Sequence, residues 1–366
     1  MLRASHTACL GIHTRAPSHR TFSSWNSGAL SRQVRKKRDK ALLFDGNNLL
    51  YDVYDPRDQL SWNDAPVGSA VRFVQRVREI VHAKQAARLA IFFDTPMQTQ
   101  RQVGNTNYKP SHRKRVMPNA LRAQFPTTIQ VLKELGLPVI QVPGVEADDL
   151  IASYSKASVT DGYDVMIVTN DTDLYQLVQS TSRHDEVEQN VSVYRPMRRQ
   201  SIREAHVTRF LGGAHPRQQP EIRALCGDAR GKTPGIPGGM TIQEAVGLLE
   251  SHGGLVRLLR NLNEVNDKQL SQRLQRAISM LEQSYRASKL NENVALPLPT
   301  STLSITQPVE YSRAVLDRHF GPDGTAIVFT AQAKLPPKHL VPRQPKSSDV
   351  DGTIAPEEDP DTSSKE

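Results

Sequence analysis

The chain has 366 residues and a net charge of +9, long enough for one large domain or two ordinary ones, each with its own core. Its only two cysteines, Cys9 and Cys226, lie far apart, which excludes a disulfide framework and a cysteine-based zinc site. No stretch approaches the roughly eighteen apolar residues of a membrane helix, so no membrane partner is expected.

The charge is unevenly placed. Residues 1–40 hold nine Lys/Arg and one acid (+8), residues 341–366 hold three basic and seven acidic residues (−4), and the middle carries +5. The first 40 residues lack acids until Asp39, are rich in Ser and Arg, and have no continuous apolar run. That composition predicts a mitochondrial transit peptide, hence residence in the mitochondrial matrix, and Arg20-Thr21-Phe22-Ser23 resembles a matrix-protease cleavage site. The alternative is a basic arm that binds nucleic acid directly, to which VRKKRDK at 34–40 also conforms.

Ala41 to Phe44 reads as a short buried strand ending in Asp45-Gly46-Asn47-Asn48, followed by a polar loop. Val67 to His82 has helical periodicity. Arg88 to Phe93 is the next strand and ends in Asp94. Residues 95–118 are polar and concentrate Tyr108, Lys109, His112, Arg113, Lys114 and Arg115 in eight positions. Such basic density around an aromatic suits a phosphate backbone and a stacked base, although a solvated loop has the same composition. Ala120 to Gly136 is then a helix, stopped by Gly136 and Pro138.

The stretch around which the rest is organised is GVEADDL at 144–150, with IVTNDTDLYQLV at 167–178. Leu137 to Val142 is a short strand, and Pro143-Gly144 turns it into a helix opening at Glu146, Asp148 and Asp149. Tyr163 to Thr169 is a β-branched strand with Asp171 and Asp173 just past its carboxyl end, where open α/β sheets keep their sites. One acid can cap a helix, but capping does not need three. Like charges crowded into one crevice call for a counter-ion, and hard divalent cations such as Mg²⁺ or Mn²⁺ prefer carboxylate and water oxygens.

Beyond it, Arg183 to Asn190 reads as a charged loop, Val191 to Tyr194 as a strand and Ile202 to Leu211 as a helix, so strand–helix alternation indicates a mostly parallel sheet. From Gln219 the pattern turns helical: Ile222 to Cys226, Ile242 to Leu249, Leu255 to Leu259 and Leu270 to Leu281. Between the first two, GDARGKTPGIPGG at 227–239 carries Gly235-Ile236-Pro237-Gly238, a turn that can present successive N–H groups to a phosphate, though Gly-Pro turns are common between helices. Residues 297–340 receive no function, with a helix around Tyr311 to His319 and a strand-like Ala326 to Phe329. Residues 341–366, rich in Pro, Ser and acids, are expected to be a disordered tail.

Taken in order, FDGNNLLY, FFD, NYKPSHRKR, MPNALRAQ, GLPVIQVPGVEADDLIA, IVTNDTDLYQLV and GD…PGIPG resemble the 5′-nuclease domain of the bacterial DNA polymerase I type, within the flap-endonuclease superfamily. The resemblance covers residues 41–296 and includes no polymerase domain. It implies an α/β, PIN-like, mostly parallel sheet with a helical arch (41–215), plus a helical subdomain (216–296) carrying a helix-hairpin-helix-like DNA-binding element. It implies a metal-dependent 5′-3′ exonuclease and flap endonuclease, a monomer acting on DNA with a 5′ flap or 5′ end, or on an RNA/DNA hybrid, beside a separate polymerase and ligase. By the same resemblance, Asp45, Asp94, Glu146, Asp148 and Asp149 match the carboxylates of a first Mg²⁺ or Mn²⁺, and Asp171, Asp173 and Asp228 those near a second. Lys109 and Arg113 match catalytic arch residues; Tyr108, Lys114, Arg115, Gly235, Ile236, Gly238 and Gly239 fall at DNA-binding positions. Two positions depart from the pattern. Gly231 and Lys232 stand where the family has Asp-Asn, and Gly238-Gly239-Met240-Thr241 replaces the Gly-x-Gly-x-Lys end of the hairpin, so the second metal is less secure than the first. The alternatives are a PIN-type ribonuclease acting on RNA only, and a catalytically silent nucleic-acid-binding protein.

Overall fold

A central strand that is apolar on both sides sets the architecture. The computed structural model describes residues 38–97, 117–183, 186–228, 233–306 and 309–330. In β1 (Lys40–Asp45), Ala41 and Leu43 join one buried cluster while Leu42 and Phe44 join another on the opposite face. The alternation repeats in β4 (Arg88–Phe92), where Ala90 and Phe92 face the first cluster and Leu89 and Ile91 the second. A strand buried on both faces reads as a continuous apolar run, the mark of a parallel sheet covered on both sides by helices.

With β5 (Val139–Ile140), β6 (Asp164–Val168), β7 (Gln179–Arg183), β8 (Glu186–Arg195) and β9 (Gln200–Ile202), the sheet has the order β5-β4-β1-β6-β8-β7, and β9 also pairs with β8. The pairs β5–β4, β4–β1, β1–β6 and β6–β8 are parallel; β7 and β9 pair with β8 antiparallel. The mostly parallel sheet expected from the sequence is therefore present. A separate ribbon joins β2 (Ser61–Trp62) to β3 (Ala65–Pro66).

On one face lie α1 (Gly46–Val53), α2 (Gly68–Lys84), α3 (Asn119–Arg122), α4 (Gln124–Glu134) and, from the other end of the chain, α11 (Arg313–Phe329). On the other lie α5 (Ala147–Thr160), α6 (Glu204–Phe210), α7 (Gln219–Cys226), α8 (Ile242–His252), α9 (Leu255–Arg260) and α10 (Lys268–Ser288). The helices after Gln219 share one apolar cluster with the sheet, and the described residues from 38 to 330 fall in one compact unit. Helix α10 shows why: Asp267 caps it, accepting from Gln269 N and Leu270 N at 2.8 and 3.1 Å, and Leu274, Ala277, Leu281 and Ser284 recur at helical spacing as its buried stripe.

Four local expectations are corrected. The polar loop after Asn48 begins as α1, because Asp45 supplies its N-cap. The single helix expected over 120–136 is broken at Ala123, where Pro126 has no N–H to give the Arg122 carbonyl one turn back. The break frees Gln124, 3% exposed, to cap α2 from outside, its Oε1 accepting from Ser69 N at 2.7 Å and Ala70 N at 3.1 Å. In the charged loop expected over 183–190, residue 183 and residues 186–190 belong instead to the antiparallel ribbon of β7 and β8, since backbone pairing needs no apolar side chains, and residues 184–185 lie outside the described residues. Finally, the strand-like Ala326 to Phe329 ends α11: short apolar runs do not distinguish strand from helix, and packing against α2 decides. That helix kinks at Gly321 (φ +68°), whose missing side chain makes room for the Trp62 ring. Trp62 Nε1 donates to the Arg318 carbonyl at 3.1 Å, and Gln75 Nε2 to that of Thr330 at 2.7 Å, so this extension is stitched into the fold. No helix among the described residues is long and apolar enough to cross a membrane.

Candidate active site

Parallel strands β4, β1 and β6 all end at the same edge, and each delivers an acid or its partner there. Asp45, 4% exposed, closes β1; its Oδ1 accepts from Asn48 N at 3.0 Å and its Oδ2 from the fully buried Thr169 hydroxyl at 2.8 Å. Thr169 Oγ1 in turn accepts from Asp171 N at 2.9 Å, which draws the residues past β6 over the end of β1. Asp94, past β4, is tied by a reciprocal pair to Asn47, with Asn47 Nδ2 donating to Oδ2 and Asp94 N donating to Asn47 Oδ1, each at 3.0 Å. Its Oδ1 accepts from Ala147 N at 2.8 Å and so caps the acidic start of α5 from a neighbouring strand. Asn48 Oδ1 accepts from Asn170 N at 2.8 Å. Sequence reasoning placed Asn47 and Asn48 only in a turn; they are the cross-ties between three strand ends.

Burial pushes the Asp45 carboxyl up to about 7, against the Asn48 N–H and Thr169 hydroxyl that favour its charged form, and the charges of Asp171 and Asp94 push the same way as burial. These three acids thus feel one another. Of the acids on α5, Glu146 is 5% exposed at the N-cap, Asp148 is half-buried, and Asp149, 7% exposed, accepts from Asn291 N at 2.8 Å. Asp171 Oδ1 accepts from Asp173 N at 3.0 Å and opens the 3₁₀ turn Thr172–Leu177. Asp173 pairs with the Arg223 guanidinium, which also donates to Thr172 Oγ1 at 3.0 Å. Arg223 was not singled out from the sequence; nothing in a short helical segment reveals that one of its cations faces an acid 50 residues earlier. Asp228 follows the α7 C-cap Gly227 (φ +78°), and its N–H donates to the Thr233 carbonyl at 3.1 Å.

Asp45, Asp94 and Asp171 therefore meet at one edge with the acidic start of α5 beside them, but among the described residues no three acids stand as a closed metal-binding group. The donors are nevertheless all carboxylate oxygens, and Asp45 is buried beside two further negative charges. That chemistry fits a hard divalent cation, which completes its shell with water and phosphate oxygens rather than a protein cage. Tyr108, Lys109, Arg113, Lys114 and Arg115 lie outside the described residues, as do Gly231, Lys232 and the segments 1–37 and 331–366.

The glycine turn is corrected in part. Gly235 (φ +71°) is buried, and a Cβ there would stand 2.6 Å from the Cys226 and Gly227 backbone. Ile236 is 2% exposed and donates its N–H to the Leu225 carbonyl at 2.8 Å, while Gly239 N donates to the Ile236 carbonyl at 3.0 Å. The Ile236 N–H is thus used to close the turn onto α7 and the Gly239 N–H within the turn itself, so neither is left for a phosphate. Gly238 stays exposed, and beneath it Arg273 donates to the carbonyls of Pro237 at 2.9 Å and Gly239 at 2.6 Å, a cation the sequence reading missed.

Known proteins resemble this chain in sequence and in fold. The family model of the 5′-3′ exonuclease N-terminal resolvase-like domain matches residues 40–210. A 5′-3′ exonuclease of Aquifex aeolicus is 28% identical over 268 residues, covering 73% of this chain and 86% of that protein. A DNA polymerase I of Rhizobium leguminosarum is 28% identical over 277 residues, 73% of this chain but 26% of the polymerase, so the chain spans only about a quarter of that relative. Among solved structures, a bacteriophage T5 flap endonuclease in a pseudo-enzyme–product complex with DNA and metal ions superposes with a TM-score of 0.56 at 16% identity, over 79% of this chain and 99% of that one. The sheet order and the acids at its carboxyl edge agree with the sequence match: residues 40–210 match the 5′-3′ exonuclease N-terminal resolvase-like domain and are similar to the 5′-nuclease part of DNA polymerase I.

Proposed function

We propose that the protein is a divalent-metal-dependent 5′-3′ exonuclease and flap endonuclease that hydrolyses phosphodiester bonds near 5′ ends of DNA or of RNA/DNA hybrids. The observation that carries this reading is the meeting of Asp45, Asp94 and Asp171 at the ends of β1, β4 and β6, tied by Asp94 to the acidic start of α5. Asp45, Asp94, Glu146, Asp148 and Asp149 would hold one Mg²⁺ or Mn²⁺, and Asp171, Asp173 and Asp228 a second, less tightly held because Gly231 supplies no carboxylate. When bound, such ions lower the pKa of a water and neutralise charge on the phosphate. The chain's own part is placement. Thr169 and Asn48 N–H keep Asp45 oriented, Asn47 holds Asp94, and Arg223 offsets the charge of Asp173 at the rim. Lys109 and Arg113, with Tyr108, Lys114 and Arg115, supply cations and a ring for the 5′ strand.

In this reading the enzyme removes RNA primers or flaps during replication and repair beside a separate polymerase and ligase, and it works as a monomer. The relatives named 5′-3′ exonucleases support the activity, and the acid-free, Ser/Arg-rich start supports import into the mitochondrial matrix. Recovery of a mature N-terminus near residue 22 checks import; an intact Met1 on protein from cells overturns it.

The decisive experiment compares wild type with Asp148→Asn on matched DNA-flap and RNA substrates across a metal titration. Cleavage of the flap that needs metal and is abolished by the substitution, with DNA binding retained, is expected. Undiminished cleavage in chelator, or full activity in Asp148→Asn, refutes the reading; cleavage of RNA alone assigns a ribonuclease instead.

A further inference from the structure

The acid crevice has two flanks. On the β4 side Asp94 stands just past the end of β4, and the reading above gives the 5′ strand to the basic sequence 98–116 that follows it, which lies outside the described residues. On the β8 side the structure holds a second feature that this reading does not use. Strand β8 runs parallel to β6 with Tyr194 level with Val168, so the residues after Tyr194 emerge at the same edge as Asp171. They form a tight basic turn, Arg195-Pro196-Met197-Arg198-Arg199. Arg199 adopts a left-handed conformation (φ +48°), and Arg76 of α2 anchors the turn by donating to the Pro196 carbonyl at 3.2 Å. A non-glycine residue in that conformation signals a turn held in one shape by its surroundings.

Against this turn stands an exposed ring. Phe210, the last residue of α6, is 55% exposed and meets Tyr175 edge-on, ring centres 6.4 Å apart at 83°. Tyr175 is 5% exposed, lies in the 3₁₀ turn opened by Asp171, and feels the positive charges of Arg195 and Arg198. One buried phenol thus joins three things: the acid edge, the arginine turn and a solvent-facing phenylalanine. Two residues farther on, Gly212 touches Ile242 at the start of α8, where a Cβ would come within 3.0 Å of Cγ2, and α8 follows directly on the Gly238-Gly239 turn. Phe210 therefore packs on the 3₁₀ turn that starts at Asp171 and lies two residues before Gly212, which approaches the start of α8.

We infer that Phe210 and Arg198 grip the nucleic-acid strand on the 3′ side of the cleaved bond, the ring packing on a sugar or base and the guanidinium on a phosphate. This rests on the proposed nuclease reading for the position of the cleaved bond. A strand crossing the carboxyl edge from the β4 flank leaves over β6 and β8, and an apolar face beside a cation is the surface that a sugar-phosphate chain matches. Neither residue belongs to the acid set. Both are exposed, so replacing them leaves the core intact.

The test is equilibrium binding in chelator by full-length wild type, Phe210→Ala, Phe210→Tyr and Arg198→Ala. Two DNA flaps are compared, identical on the 5′ side, with duplex 3′ of the junction either long or ending at the junction. On the long duplex Phe210→Ala should weaken binding about tenfold with an unchanged salt slope, since contact with a ring is not electrostatic. Phe210→Tyr should restore it. Arg198→Ala should weaken binding and lower the slope of log K against log salt by about one. On the truncated duplex all four proteins should bind alike. Equal losses on both substrates, or none on either, overturn the inference. Because the readout is binding without metal, it stands apart from cleavage: a wild type that binds as described but never cleaves removes the nuclease reading, whereas variants that cleave and bind like wild type remove only this one.

Discussion

Arg223→Ala tests whether the acid edge is held together by compensated charge. The Arg223 and Asp173 side chains are 14% and 18% exposed, so removing the guanidinium takes its positive charge away from a mostly buried carboxylate whose own N–H binds Asp171. Breaking a buried pair costs about 3–5 kcal/mol, and residual water access at this rim reduces that to about 2 kcal/mol. For a body of this size the loss corresponds to a fall of about 3 °C in Tm. The physical cause predicts two rescues. In the Asp173→Asn background the same Arg223→Ala change should cost well under 1 kcal/mol, because no orphaned charge remains. Saturating Mg²⁺ or Mn²⁺ should narrow the gap, since a ligand at about 100 times its Kd stabilises the folded state by about 2.7 kcal/mol and replaces the missing charge. The assay is urea unfolding of wild type, both single variants and the double variant, in chelator and in metal. If Arg223→Ala costs the same with Asp173 present or removed, the ion pair is not what this arginine supplies.

Three further outcomes are expected. Replacing Lys109 and Arg113 together by Ala should lower flap cleavage and flatten its salt dependence by about two in slope, and an unchanged slope places that segment away from the substrate. The Asp161 carboxyl is held below the usual carboxylate range by the Thr300 hydroxyl and then by Arg88, whose Nη1 lies 2.6 Å away. A lowered folded value means a contribution complete above the ordinary carboxylate pKa of about 4 and lost as pH falls below it, so Asp161→Asn should show a shallower acid limb in stability against pH; parallel limbs refute the pairing. Gly321→Ala should destabilise by at least about 2 kcal/mol, because a Cβ there would lie 2.3 Å from the Trp62 ring and the backbone is left-handed; a silent change shows that α11 can lift from the fold without cost.

The sequence by itself determined the strands and the acids at their ends. β1 and β4 are buried on both faces and β6 largely so, with Met166 half-buried, so each reads as an apolar run that stops where the chain turns polar, and Asp45, Asp94 and Asp171 stand at those stops. The acidic opening of α5 was legible for the same reason, a turn at Pro143-Gly144 followed by helical spacing. What only the tertiary structure decided are the partnerships between residues distant in the chain. Thr169 meets Asp45 across 124 residues, Asn47 meets Asp94 across 47, Gln124 caps α2 across 55 and Arg223 meets Asp173 across 50. None of these leaves a periodic trace, because a polar side chain that reaches across a sheet edge is locally identical to one that faces water. The same holds for the ends of the chain. Ala326 to Phe329 carries a run that suits strand or helix alike, and it is helical because Val328 finds a place in the cluster beneath α2 that a strand at that point has no neighbour to pair with.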